Sequence, residues 1–332
     1  MKPVHIAILG CGKVARLHSR TARTMRSKVR LSYASRSRER ADEYRRRYGG
    51  VAAFGSYEEA CADAGVDAVF DCTPHALRVE NAELAARYEK HLLMEKPAAR
   101  TLEELAAIER KVAAAGIRAM VAENYFFKPL VQVLREHMER GDIGTPMVLE
   151  LNHTKRGNIS GWRTDREMMG GGALLEGGVH WVNLLMSLGG PPLEVIAARP
   201  TADYPQVAPF EDSIELLIKF AGGAVGKLLH SWNITNRVGG LGMSRLYGSE
   251  GNVHFESNGL FAIVVGRRKR LRIPGVLDIM GYRRMLEHFV ESVSQGRVPD
   301  MSLALARRDM AVITAAYRSL DSGRFERVNQ ED

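Results

Sequence analysis

The chain has 332 residues, of which 45% are hydrophobic and 26% are charged. These fractions exclude a largely disordered chain, and the length predicts two domains of ordinary size. The formal net charge of +8 at pH 7 is compatible with a polyanionic partner. However, Arg38, Arg45 and Arg46 alternate with acidic residues, and no nucleic-acid-binding motif accompanies them, so we expect no nucleic-acid partner.

No run in the sequence approaches the roughly 20 apolar residues that cross a bilayer. The apolar run at 4–9 is shorter than the core of a signal peptide and leads into a glycine turn, so we expect a cytoplasmic protein with no membrane partner. The three cysteines, Cys11, Cys61 and Cys72, are odd in number and lack metal-ligand spacing. They predict reduced thiols without a disulfide or zinc framework.

The first third of the chain alternates short apolar runs with helical patterns. Helical stretches such as 77–88 and 102–115 separate candidate strands at 4–9, 29–34, 51–54, 66–72, 91–94 and 117–121. Apolar strands that alternate with helices are typical of a parallel sheet covered on both faces. Right-handed crossovers then predict a doubly wound α/β fold of the Rossmann type.

The pattern changes near residue 122, and we predict two domains, 1–122 and 123–332. The second begins with a helix at 128–140, a strand from about Met147 and a glycine-rich helix start at 170–172. Strands then follow one another at 195–199, 213–220, 225–232, 244–247 and 261–265, which predicts a mostly antiparallel sheet. Helices near 279–294 and 302–322 close the chain, and the last helix is free to pack back on the first domain. Since no Pro/Ser-rich linker is present, we expect the domains to form a cleft.

The first predicted strand ends in a glycine turn with the pattern Gly10-x-Gly12-x-x-Ala15. The first glycine permits the tight turn, and the second lets the backbone approach a pyrophosphate. Ala15 keeps helix and strand close, while the helix N-terminus offers N–H donors to the anion. We therefore predict a dinucleotide site that also includes Lys13 and Val14.

The end of the second predicted strand discriminates between the two nicotinamide cofactors. An NAD site usually has an acidic residue there, which accepts bonds from the ribose 2′-hydroxyl. Here the strand is followed by Ser35, Arg36 and Ser37. Hydroxyls and a guanidinium suit a 2′-phosphate, so we predict NADP as the cofactor, with NAD as the alternative.

Two further patches carry candidate catalytic side chains. Glu95-Lys96-Pro97 follows the strand at 91–94, whose carboxyl end faces the same crevice as the glycine turn. Lys96 can hold a substrate oxygen or move a proton, and the alternative is a surface ion pair with Glu95. Glu176 and His180 lie four residues apart, so the carboxylate can orient an imidazole that exchanges a proton. The pair is also half a metal site, but His153 is the only other candidate ligand, and we expect no metal.

These motifs occur in the order seen in the Gfo/Idh/MocA oxidoreductases, as do Glu211-Asp212-Ser213 and the later stretch Tyr247-Gly248-Ser249-Glu250-Gly251. The resemblance covers nearly the whole chain. It implies an N-terminal Rossmann domain and a C-terminal α/β domain, whose open, mostly antiparallel sheet binds substrate and forms a homodimer or homotetramer. It also implies that Lys96 and His180 are catalytic, with Glu176 where the family has an aspartate.

The resemblance further implies cofactor contacts from Thr73, Pro74, His75, Glu95, Lys96 and Asn124. His75 stands where the family frequently has asparagine, and Asn183 stands where it commonly has aspartate. We expect the substrate to contact Lys96, His180 and Asn183, together with His153, Lys155, Trp162, Arg163 and Arg237. This cationic and aromatic set suits a sugar ring or an acidic group.

We therefore expect NADP-dependent hydride transfer between the nicotinamide and a carbinol carbon of a sugar, cyclitol or related polyol. The alternatives are an NADPH-dependent reductase of a keto-sugar, nucleotide-sugar or imine, and a dinucleotide-dependent glycosidase. Outside enzymes, the alternative is a dinucleotide-sensing regulatory protein. A sensor need not keep Lys96 and His180, so their presence favours catalysis.

Overall fold

The computed structural model describes residues 2–157, 159–200, 210–235, 241–266 and 269–329. The chain forms two compact units: the first comprises residues 1–123 and 282–306, and the second comprises 124–281 and 307–332. The segment 282–306 thus belongs to the first unit, whereas our predicted division into 1–122 and 123–332 places it in the second domain. Within the first unit, this segment is held by a hydrogen bond from the Val121 amide to the Met301 carbonyl. Ion pairs from Lys28 to Glu287 and Glu291 hold it as well.

The helices have the following bounds in chain order: α1 (Lys13–Ala22), α2 (Arg38–Tyr48), α3 (Tyr57–Ala62), α4 (Arg78–Arg87), α5 (Leu102–Ala115), α6 (Pro129–Glu139), α7 (Arg166–Met169), α8 (Val179–Gly189), α9 (Tyr282–Gln295) and α10 (Leu303–Ser322). A π-helix, Leu174–Gly178, directly precedes α8. No helix in the described ranges is long and apolar enough to cross a membrane.

The first unit is built on six parallel strands: β1 (Val4–Leu9), β2 (Val29–Ala34), β3 (Ala53–Phe54), β4 (Ala68–Asp71), β5 (His91–Met94) and β6 (Ala119–Val121). Their order, β3-β2-β1-β4-β5-β6, is that of a dinucleotide-binding doubly wound sheet. Every residue of β1 and β4 is buried, as expected where helices cover both faces. The predicted Rossmann fold is confirmed.

Among the described residues, the second unit has nine strands in one sheet: β7 (Pro146–Thr154), β8 (Pro192–Ala198), β9 (Ser213–Phe220), β10 (Val225–Ser231), β11 (Met243–Gly248), β12 (Asn252–Glu256), β13 (Ala262–Val265), β14 (Lys269–Arg272) and β15 (Glu326–Arg327). The order is β14-β13-β12-β11-β7-β10-β9-β8-β15. Within it, β7 and β10 are parallel, and the other described pairings are antiparallel. The predicted open, mostly antiparallel sheet is confirmed.

One face of the second sheet is covered and the other is open in the single chain. Along β9, buried and exposed residues alternate, and Ile214, Leu216 and Ile218 are on the buried side. This alternation is typical of an antiparallel sheet with one face on the core. Gly222 and Gly223 join β9 to β10 in the predicted hairpin, with Gly223 at a φ of 84°.

Candidate active site

The glycine turn in the first unit has an open backbone at the start of α1. Gly10 adopts a φ of 91°, and a Cβ there would lie 3.1 Å from Thr73 Cγ2. A Cβ on Gly12, by contrast, would have no neighbour within 4 Å. Gly12 caps α1, whose first turn contains no acidic residue. An open backbone at a helix N-terminus can bind an anion, so these residues fit a dinucleotide.

Helix α2 supports the glycine turn in a way that the sequence did not reveal. The Tyr44 hydroxyl donates to the Gly12 carbonyl at 3.0 Å, and Arg40 Nε donates to the Cys11 carbonyl at 3.4 Å. Burial raises the pKa of the Cys11 thiol to about 12. The thiol is therefore protonated at neutral pH and has no reactive role.

The segment after β2 presents hydroxyl and guanidinium groups. Ser35 is half-buried and accepts a hydrogen bond from the Ser37 amide at 3.3 Å, whereas Arg36 is exposed. Ser37 caps α2, because its Oγ accepts the Arg40 amide and donates to Glu39. Ser35 and Arg36 thus lie where the strand ends, while the Ser37 hydroxyl is engaged in the helix cap.

Thr73, after β4, is fixed by a buried polar network. Asp71 accepts hydrogen bonds from the Thr73 amide at 2.9 Å and from its hydroxyl at 2.6 Å, and it pairs with Arg78 at 2.9 Å. Asn81 donates to the Thr73 hydroxyl. His75 is buried close by in the chain. This network holds the loop after β4 against the glycine turn, since Thr73 is the side chain nearest to Gly10.

Glu95 and Lys96 do not form the exposed surface ion pair that was the alternative prediction, because Glu95 is buried and Lys96 is half-buried. Glu95 is buried, and its Oε1 lies 2.5 Å from Nε2 of His18, a buried residue of α1. Burial by itself raises the pKa of Glu95, but the bond to His18 and the charges of His18, Lys96 and Arg78 outweigh it, and the net shift is downward. Glu95 is therefore an ionised, fixed group beside the half-buried Lys96.

In the second unit, His180 lies in the first turn of α8 against an aromatic ring. Its imidazole stacks on Tyr125, with ring centroids 4.5 Å apart and an interplanar angle of 16°. The buried Lys128 places its Nζ 3.5 Å from the centroid of the same tyrosine ring. A cation at this distance interacts favourably with the ring face. Tyr125 and Lys128 were not among the predicted site residues.

Six rings form a continuous group that we call the ring cluster: Tyr125, His153, His180, Trp181, His230 and Trp232. Trp181 packs edge-on against Tyr125 and stacks on His153. His153 stacks in turn on His230, with the two Nδ1 atoms 3.3 Å apart. Burial, and then the charges of His180, Lys128 and Lys155, lower the pKa of His153 to about 4. His153 is therefore neutral at pH 7.

Glu176 is bound by a guanidinium. Its Oε1 accepts Nε of Arg163 at 2.9 Å and lies 2.9 Å from Nη2 of the same residue. The Arg163 guanidinium also lies over the Trp162 ring, 4.6 Å from its centroid. Trp162 packs in turn against the hydrophobic cluster that contains Trp232. These contacts bring Glu176, Arg163 and Trp162 together in the second unit.

The remaining predicted residues have different environments. The side-chain amide of Asn124 donates through Nδ2 to the Met280 carbonyl at 2.6 Å. Asn183 is fully buried, and its side-chain amide donates to Asp309 of α10 at 2.6 Å, while its contact with the substrate stays a prediction. Lys155 is exposed, and Arg237 lies outside the described residues. Within the described ranges, no group of three or more His, Cys, Asp or Glu side chains is placed to hold a metal ion.

Comparison with known families agrees with this architecture. Residues 4–123 match the family described as "Oxidoreductase family, NAD-binding Rossmann fold", and residues 131–254 match "GFO/IDH/MocA C-terminal domain". The fold and the glycine turn thus define an oxidoreductase that uses a nicotinamide dinucleotide. The chain belongs to the Gfo/Idh/MocA family, which confirms the resemblance, and it is a dehydrogenase or reductase.

Similar proteins cover nearly the full length of the chain. Levoglucosan dehydrogenase of Pseudarthrobacter phenanthrenivorans is 25% identical over 95% of this chain and 88% of its own. D-Glucoside 3-dehydrogenase of Escherichia coli K12 is 23% identical over 97% and 96%. A solved structure of levoglucosan dehydrogenase with NADH and L-sorbose is 23% identical, with a TM-score of 0.90 over 99% of this chain and 100% of that one. This structural likeness shows the shared fold.

Proposed function

We propose that the protein is an NADP-preferring oxidoreductase of a sugar, cyclitol or related polyol. The observation that carries the proposal is the position of Lys96, at the carboxyl end of β5 in the same parallel sheet whose β1 leads into the glycine turn. Ligands of doubly wound sheets bind at this edge. The names of the full-length relatives, which include levoglucosan and D-glucoside dehydrogenases, support a carbohydrate substrate.

The catalytic roles follow from the chemistry of the side chains. The residues of the glycine turn would hold the pyrophosphate of a dinucleotide, whose nicotinamide ring would supply a hydride acceptor in oxidation and a hydride donor in reduction. We assign His180 to take the proton of the substrate hydroxyl and to return it in the reverse direction. Lys96 holds the same oxygen and stabilises its developing negative charge. Glu176 orients His180, and the Arg163 guanidinium holds the carboxylate in place.

The preference for NADP rests on the segment after β2. Arg36 offers an exposed guanidinium and Ser35 a hydroxyl, and both groups can bind a 2′-phosphate. Lys13, Val14 and Ala15 of α1 complete the pyrophosphate side of the site. The loop with Thr73, Pro74 and His75 lies next to this turn, and we assign Asn124 and Glu95 to the nicotinamide side.

We assign substrate recognition to the second unit. Trp162, Arg163 and His153 adjoin the ring cluster or form part of it, and Lys155 adds a nearby positive charge. Aromatic faces with a few polar groups suit the C–H faces and hydroxyls of a sugar ring. Since His153 is neutral at pH 7, it is a hydrogen-bonding group and not a cation.

We also propose that the open face of the second sheet joins copies of this chain in a homodimer or homotetramer. On this face, Val148 and Leu217 are each 38% exposed in the single chain. Around them lie charge pairs such as Lys227–Glu215. An apolar centre with a rim of paired charges is typical of a subunit interface.

The proposed function is tested by following NADPH absorbance with a panel of sugars, keto-sugars and cyclitols, in both directions. We expect turnover with at least one member and a higher kcat/KM with NADP(H) than with NAD(H). Mass spectrometry of the purified protein then checks for a retained dinucleotide, which would indicate the glycosidase chemistry. Absence of hydride transfer across the whole panel would reject the carbohydrate substrate.

Replacing Lys96 with alanine removes the group that stabilises the developing charge on the substrate oxygen. We expect kcat to fall by at least about a hundredfold, while the dissociation constant of NADPH, measured by fluorescence titration, changes little. Lys111→Ala is the matched control, because Lys111 forms only a surface ion pair with Glu83 in the described contacts. Substantial residual activity in Lys96→Ala contradicts the assigned role.

A further inference from the structure

A buried carboxyl group lies at the start of the helical segment that carries Glu176 and His180. Glu211 is 6% exposed and directly precedes Asp212 and β9. Its Oε1 accepts the amide of Leu174, the first residue of the π-helix, at 2.9 Å. Its backbone carbonyl accepts the amide of Ala173 at 2.8 Å. One residue thus binds two successive amides at the beginning of the segment.

A tyrosine of α10 completes this arrangement. The Tyr317 hydroxyl donates to Glu211 Oε1 at 3.0 Å and accepts the amide of Gly172 at 3.1 Å. Burial raises the pKa of Tyr317 far above its usual value, so the hydroxyl remains a donor. Three consecutive amides, from Gly172 to Leu174, are therefore bound by Glu211 and Tyr317. Unpaired amides at a helix start need such partners.

The close approach of Glu211 depends on a glycine. A Cβ on Gly172 would lie 2.0 Å from Glu211 Oε2 and 2.3 Å from its carbonyl oxygen. Because the carbonyl is backbone, a side chain at position 172 cannot be accommodated by rotating Glu211 alone. From the sequence, the glycine run at 170–172 predicted only the start of a helix. In the structure, Gly172 leaves the space that Glu211 occupies.

We propose that Glu211 and Tyr317 are positioning residues that fix the N-terminal end of this segment and thereby aim Glu176 and His180 at the substrate. The inference rests on the proposed function, in which His180 exchanges the substrate proton. A displacement of about 1 Å in a catalytic group can cost a hundredfold in rate. Neither residue touches the reacting atoms in this assignment.

The charge of Glu211 makes the positioning sensitive to pH. Burial raises the pKa of Glu211 to about 7, and the groups that face it are the Tyr317 hydroxyl from α10, the Leu174 amide and, through its charge, Arg199 after β8. The ionised carboxylate binds the Leu174 amide more strongly than the neutral acid and also complements the positive end of the helix. We therefore expect kcat to rise with pH through the titration of Glu211.

Two variants separate the charge of Glu211 from its hydrogen bonds. Glu211→Gln keeps an acceptor oxygen but cannot ionise, so the limb of the kcat–pH profile near pH 7 is lost. Tyr317→Phe removes the bonds to Gly172 and Glu211, and we expect kcat to fall about tenfold with an unchanged Kd for NADPH. A purely structural role would lower the melting temperature without moving the pH profile.

A matched control exists in the first unit. There, the Tyr88 hydroxyl donates to Glu58 Oε1 at 2.9 Å, at an exposed site. Glu58→Gln and Tyr88→Phe make the same chemical changes far along the chain from the helical segment. Both controls are expected to keep the kcat and the pH profile of the wild-type protein.

Hydrogen exchange of the amides at 172–174 gives a readout that needs no substrate. In the cofactor-free protein, we expect at least tenfold faster exchange there in Tyr317→Phe and an intermediate increase in Glu211→Gln. Unchanged exchange with an unchanged pH profile in folded Glu211→Gln protein would overturn the inference. If no carbohydrate is turned over, the proposed function fails, whereas the exchange rates still decide whether these residues hold the segment.

Discussion

At the scale of single residues, the proposed preference for NADP rests on a segment after β2 that carries charges of both signs. The Ser37 hydroxyl lowers the pKa of Glu39, so an ionised carboxylate lies four residues beyond Ser35. Arg38 and Arg40 bind the acids Glu59 and Glu43. Arg36 is thus the arginine of this group that we assign to a 2′-phosphate, and a small change at positions 35 and 36 should reverse the preference.

The double variant Ser35→Asp/Arg36→Ser tests this assignment. The new carboxylate repels a 2′-phosphate and accepts the ribose hydroxyls of NAD. Loss of a charge-assisted contact changes binding by about 1.5–3 kcal/mol, so we expect the ratio of kcat/KM for NADP and NAD to move at least about tenfold toward NAD. Arg38→Ser, which breaks the exposed pair with Glu59, is the control, and an equal shift in the control contradicts the assignment.

At the scale of elements, the π-helix connects the glycine-rich stretch to α8. π-Helical turns are rare and frequently occur at functional sites. Here the wide turn brings Gly177 against the ring cluster, where a Cβ would lie 2.9 Å from Nε2 of His230 and 3.0 Å from Nε1 of Trp232. The two glycines after Glu176 thus let the segment pass close to β10.

Gly177→Ala should therefore displace the π-helix and with it the first turn of α8. We expect a loss of about 1–3 kcal/mol in the free energy of unfolding, since an added methyl group has no space there. Urea denaturation provides the measurement, and kcat should fall at the same time. Gly222→Ala is the control, because a Cβ at that turn would meet nothing within 4 Å. Equal free energies of unfolding for the two variants would contradict the close contact of Gly177 with His230 and Trp232.

The sequence was informative where a local pattern determines the element. The bounds of β1, β2, β5 and β9 agree with the predicted ranges, because continuous or alternating apolar residues mark them. By contrast, no predicted strand covers β14. Three of its four residues are cations, and a strand at the edge of a sheet needs no apolar pattern.

The site was less predictable, because its contacts join distant parts of the chain. Glycine spacing and strand order were sufficient to predict the turn at Gly10. The pairing of His153 with His230 follows from the register of β7 and β10, which no local pattern specifies. Similarly, His18 could be predicted to be buried from its place on α1, but its bond to Glu95 spans 77 residues.

At the scale of the whole molecule, the buried Glu211 and the half-buried His153 give the stability opposite dependences on pH. Glu211 has a folded pKa of about 7 against 4.5 in the unfolded chain. Its stabilising contribution is present below pH 4.5 and is lost as the pH rises through 7. The pKa of His153 falls from 6.5 to about 4 on folding. Its contribution is complete above pH 6.5 and is lost as the pH falls through 4.

Single variants should separate these two effects. Each shift corresponds to about 3 kcal/mol. As the pH rises from 4.5 to 7, the wild-type protein loses this contribution, whereas Glu211→Gln does not. The free energy of unfolding of Glu211→Gln should therefore increase by about 3 kcal/mol relative to that of the wild-type protein. His153→Asn should show the reverse trend. Urea denaturation across this pH range measures both, and parallel curves for wild type and variants would contradict the assigned burial of these groups.

The ring cluster also gives the protein a built-in optical probe. The chain has three tryptophans. Trp181 and Trp232 belong to the cluster, and Trp162 packs against the residues around Trp232. Tryptophan emission therefore originates entirely in the second unit, next to His180 and Arg163. In nucleotide-free protein, a change in tryptophan emission on addition of a carbohydrate would report its arrival at the second unit without any label.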